Sequence, residues 1–79
     1  QRKLAVALAH HRLQDIQQAV SYLQYMDLNR LTEGQQAVFA SIARSGGFRE
    51  EAAGVIKDID PKAHMLSEEK RCFEKALLP

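Results

Sequence analysis

The sequence predicts an all-α domain: a small bundle of four or five helices, one long at the amino-terminal end and three shorter ones packed on it. Three observations carry that expectation. Apolar residues recur at helical spacing through most of the 79 residues. No segment alternates with period two over a useful length, so no sheet is expected. The breaks between periodic runs fall at capping and stop signals: Thr32, Gly46-Gly47, Asp60-Pro61 and Ser67.

The first helix is read over residues 3–27. Val6, Ala9, Leu13, Ile16, Val20 and Leu23 follow one another at spacings of 3, 4, 3, 4 and 3, the stripe of a coiled-coil seam. Neither Gly nor Pro interrupts the run. At about 1.5 Å per residue such a helix is about 40 Å long, so it must protrude or bend. The flanking positions (Ala5, His10, Arg12, Gln17, Ala19 and Gln24) carry no pattern of opposite charges to specify a partner strand. Leu4, Leu8, Tyr22 and Met26 form a second apolar strip that widens the face, which suits a bundle better than a narrow two-stranded seam.

The second helix is read over residues 33–45. Thr32 and Gln35 make a capping-box pair, with Glu33 placed against the helix dipole. Val38, Phe39 and Ile42 supply its apolar face, with Ala37 beside them, and Gly46 or Gly47 ends it. The third helix covers about 48–59, with Ala52, Val55, Ile56 and Ile59 inward. Gly54 inside it costs about 1 kcal/mol against Ala, which a close helix crossing would explain. Asp60-Pro61 stops this helix, because the residue before Pro is pushed out of helical geometry. The fourth begins with Ser67 as N-cap and Glu68 and Glu69 in the first turn; Cys72, Phe73, Ala76 and Leu77 form its apolar face.

Residues 1–79 are read as one helical domain, close to the lower size at which a chain buries a useful core unaided. The start at Gln1 and the end at Leu77-Leu78-Pro79 read as a piece of a larger protein. Charge is nearly balanced, 11 basic against 10 acidic residues, unlike domains held to nucleic acid by phosphate neutralisation. Residues 1–49 hold six basic and three acidic side chains, so a modest positive surface there is expected. Cys72 is the single cysteine, so no intrachain disulfide exists. An intracellular location follows as an expectation, cytoplasm and nucleus being indistinguishable. No apolar run approaches the roughly 20 residues of a membrane-spanning helix, and no membrane partner is expected.

Catalytic signals are weak. Adjacent helical residues point about 100° apart, so His10 and His11 do not converge on one metal ion. Cys72 occupies an apolar helix position, where a free Cys is usually a small core residue. Glu50-Glu51 and Glu68-Glu69 sit in first helical turns and suit dipole complementation. Gly46-Gly47 lacks the Lys and Ser/Thr of a phosphate-binding loop. The expectation is a chain that is not an enzyme, with no catalytic residue, cofactor, metal or small-molecule substrate.

Two functional readings remain. The first is a protein-interaction domain of adaptor or regulatory kind that binds a partner helix or a second copy of itself. Its candidate face is Leu4, Leu8, Tyr22, Tyr25 and Met26, because aromatics and Met give large contact area at little entropic cost. The alternative is a DNA-binding helix-turn-helix over residues 38–59. Ile42, Ala43, Gly47, Phe48 and Ile56 have the small, turn and apolar residues such a corner needs. Arg44, Arg49 and Lys57 would touch phosphates. Against it, Glu50 and Glu51 open the helix that would approach the bases.

Overall fold

A computed structural model describes residues 2–78. Regular structure among the described residues is entirely helical: α1 (Arg2–Arg12), α2 (Ile16–Leu23), α3 (Glu33–Ser45), α4 (Arg49–Lys57) and α5 (Ser67–Leu77), with one 3-10 turn at Leu28–Arg30. The all-α class holds. The single helix over 3–27 does not, because the chain breaks at Gln14.

Gln14 has φ +62°, the left-handed conformation that ends helices. Its N–H donates to the His11 carbonyl at 3.0 Å, and the Asp15 N–H donates to the His10 carbonyl at 2.8 Å. These are the two closing bonds of a Schellman motif. Asp15 then caps α2, its carboxylate accepting from the Gln18 N–H at 3.5 Å. An unbroken helix of about 40 Å would overrun the longest axis of the molecule, 30 Å. Folding back instead lets α1 and α2 pack on each other and both lie on α3.

The break also changes which face is buried. Leu4 and Ala7 are buried on α1, with Leu8 half-buried beside them. From the predicted seam, Ala9 is exposed, Leu13 is 79% exposed and Val6 is only half-buried. The heptad phase meets the core only on α2, through half-buried Val20 and buried Leu23.

The organising helix is α3, not the first one. It packs on each of the other four helices. Gly34, Ala37, Val38, Ala40, Ser41, Ile42 and Ala43 are all buried on it. Small side chains around most of its circumference let neighbours approach from several sides. Its start is the expected capping box: Thr32 Oγ1 accepts from the Gln35 N–H at 3.2 Å, and Gln35 Oε1 accepts from the Thr32 N–H at 2.8 Å. Its end is a second Schellman motif. Gly47 has φ +92°, its N–H donates to the Arg44 carbonyl (3.0 Å), and the Phe48 N–H donates to the Ala43 carbonyl (2.9 Å).

Three smaller expectations change. Helix α4 stops at Lys57, and Ile59 and Met65 are buried along the connection that follows. Gly54 is at no helix crossing; no heavy atom beyond its own chain neighbours and helix backbone lies within 4 Å of where a side chain would begin. Leu66, not Ser67, is the N-cap of α5, and Glu69 Oε1 accepts from its N–H at 2.9 Å. No helix among the described residues is long and apolar enough to cross a membrane.

Candidate protein-binding groove

The corner after α3 sets an apolar concavity on the surface. Gly46 has no side chain, and a Cβ there would run into Val20 of α2. Its absence brings α2 against the end of α3. Phe48, the first residue beyond Gly47, is left 47% exposed. Helices α2, α3 and α4 thus enclose a shallow groove of about 240 Å³ lined by Val20, Leu23, Phe39, Ala43 and Phe48, with Gln24 and Glu51 as its polar members. Small-molecule sites usually exceed about 300 Å³ and bury most of the ligand. This space has room for one or two large apolar side chains.

The five residues predicted as an interface do not form one exposed face. Leu4 is buried at 5% exposure and belongs to the chain's own core, a correction that follows from the shifted phase of α1. Leu8, Tyr22 and Met26 are half-buried against that core. Tyr25 alone is well exposed, at 65%, with the Lys3 ammonium 5.6 Å above its ring. Tyr22 stacks on His10, with centroids 5.7 Å apart. The groove residues Val20, Leu23, Phe39 and Phe48 did not stand out from the sequence as a site. Their helical spacing reads as core; Leu23 is indeed buried, while Val20 and Phe39 stay half-buried and Phe48 half-exposed where α2 meets the end of α3.

The two neighbouring histidines diverge. His10 lies 3.5 Å from the Asp15 carboxylate. His11 Nε2 is 2.7 Å from Ser45 Oγ. That hydroxyl donates to the Ser41 carbonyl at 3.1 Å, so it accepts from the imidazole N–H. Burial, and then the Lys75 ammonium, hold His11 below its ordinary value of 6.5. His11, Ser41, Cys72 and Lys75 share a cleft of about 150 Å³ with the Arg12–Glu68 ion pair. Cys72 is buried there, and burial, followed by the Glu68 carboxylate, pushes its thiol above the ordinary value. A thiol kept protonated is a poor nucleophile, and the hydrogen-bonding nitrogen of His11 is engaged with Ser45.

The cations of the DNA-binding alternative are dispersed. Arg44 is half-buried and donates to the Leu78 carbonyl at 2.9 Å. Arg49 and Lys57 are exposed at opposite ends of α4. Between them the outward face of α4 presents Glu50, Ala53 and Gly54, so one carboxylate offsets one cation there. Glu51 turns toward the groove. No model of a known protein family, no curated protein and no solved structure matches this chain.

Proposed function

We propose that the chain is a non-enzymatic helical interaction domain that receives an amphipathic helix of another protein in the groove between α2, α3 and α4. The observation that carries this reading is the half-exposed Phe48 beside Val20, Leu23 and Phe39, an apolar concavity with only Gln24 and Glu51 as polar members. Large apolar side chains in such a recess supply most of the binding energy of helix-in-groove recognition. Glu51 favours a basic residue on the incoming helix, which would set its register. Tyr25 stands beyond the end of α2 and extends the surface.

A photo-reactive amino acid placed at Gln24 in the intact protein tests this in its native cells. The expected result is a discrete protein adduct that is lost when Phe48→Asp or Glu51→Lys is added, while the same probe at Lys57 gives none. Binding of duplex DNA that weakens steeply with salt, and more so after Arg49→Ala or Lys57→Ala, would replace this reading with the nucleic-acid one.

A further inference from the structure

Helix α5 carries two cations that the fold leaves unanswered. Arg71 and Lys75 are one turn apart, and like charges at that spacing repel along a helix surface. Among the described residues no carboxylate lies within ion-pairing distance of either. Both side chains line the cleft of about 150 Å³ that also holds Arg12 and His11, from the end of α1. Buried Ser41 and Cys72 place a hydroxyl and a thiol at its base. Glu68 is the one carboxylate in the lining, and Arg12 pairs with it. Three cations against one carboxylate leave two positive charges there with His11 neutral. Their field is felt inside: after burial, the Lys75 ammonium is the cause that holds His11 below its ordinary value. The apolar groove and the concavities around Leu66 and Gly54 are the reverse, lined by carboxylates and by no Lys or Arg.

We infer that this cleft binds a phosphate group, held between Arg71 and Lys75 with Arg12 and His11 on the opposite wall. A phosphate monoester carries about −1.5 to −2 charge at pH 7, which matches the two uncompensated positive charges of the lining. The Arg71 guanidinium offers a fork of N–H donors to two phosphate oxygens, and the Lys75 ammonium adds a point charge. A dianion between them also removes their mutual repulsion. A carboxylate brings half the charge and one oxygen fewer. The space is smaller than the roughly 300 Å³ at which ordinary small-molecule sites begin, so it takes a single phosphoryl head and no nucleotide. Free phosphate and a phosphorylated side chain of another protein present that same head. The cleft shares no residue with the apolar groove, so this inference stands apart from the proposed function.

Amide NMR of the intact chain, titrated at constant ionic strength and pH 7 with inorganic phosphate and then with a short phosphoserine peptide, tests it. Saturable shifts are expected around His11 and from Arg71 to Lys75, with none from sodium chloride or from the unphosphorylated peptide. Arg71→Gln and Lys75→Gln should each weaken binding by about tenfold or more with unchanged circular dichroism, because both side chains are exposed. Lys70→Gln, on the same helix but outside the cleft, should leave binding unchanged. Either ranking of the two probes supports the site and tells its source: tighter binding of the peptide points to a protein-borne phosphate, equal binding to the free ion. Shifts that chloride reproduces overturn the inference. So does phosphate binding that survives both Arg71→Gln and Lys75→Gln, or that Lys70→Gln weakens as much as they do.

Discussion

The chain turns twice by the same device, once at Arg12–Ile16 and once at Ser45–Arg49. Both corners are Schellman motifs with a residue at positive φ and the same pair of closing bonds. At the second corner the residue is Gly47, which occupies that conformation at no steric cost. At the first it is Gln14, for which the left-handed region costs roughly 1–2 kcal/mol. The difference shows what holds each corner. Gly47 makes its turn locally. The turn at Gln14 is held by what it permits: the packing of α1 on α2 and of both on α3, helped by Asp15 as cap of the next helix.

Exchanging residues between the corners sharpens this contrast, and equilibrium urea unfolding is the measurement for each exchange. The largest effect is expected at Gly46, where an added methyl meets Val20. Gly46→Ala should destabilise by about 1–3 kcal/mol, and the melting temperature should fall by roughly 4–8 °C for each kcal/mol lost. Gly47→Ala has open space around it but the wrong backbone preference, so a loss of about 1–2 kcal/mol is expected. Gln14→Gly should act in the opposite direction and stabilise by about 0.5–1 kcal/mol, the left-handed penalty less the entropy glycine gives up. A destabilising Gln14→Gly would mean that the side chain holds the first corner and would break the comparison. Gly54 serves as the control, since neither space nor φ demands a glycine there. Gly54→Ala should stabilise by up to about 1 kcal/mol.

The smallest expected effect is electrostatic and sits beside the first corner. His11 is held below its ordinary value of 6.5 by burial and Lys75, so the unfolded chain takes up its proton first. The contribution of neutral His11 to stability is complete above the unfolded value and is lost as pH falls below it. Unfolding midpoints measured from pH 7.5 down to about 5.5 should decline through that window. His11→Gln keeps a donor toward Ser45 and should flatten the decline. An unchanged slope would assign the acid sensitivity to other groups.

The second half of the fold was far more legible than the first. Thr32, Gln35, Gly46 and Gly47 each act within a turn or two of their own position, so α3 and the corner after it were readable, while α4 ends at Lys57, short of the stop read at Asp60-Pro61. The α1–α2 break was not. Its heptad stripe is real, but that stripe suits a coiled-coil seam and a buried face equally well. Nothing local distinguishes Gln14 from the other glutamines of this region. The candidate groove was illegible for a related reason. Phe48, Val20 and Phe39 have core spacing, and their partial exposure depends on how closely α2 crosses Gly46.

By itself, then, the sequence determined the helical class and the capped start and glycine end of α3, because caps and stops are short-range hydrogen-bond and steric effects. The tertiary structure alone decided that the first helix is two, that α3 is the helix around which the others gather, and that Leu4 faces in while Leu13 faces out. Those outcomes follow from covering as much apolar surface as possible within a 30 Å body, a quantity that belongs to the whole chain and to no single segment.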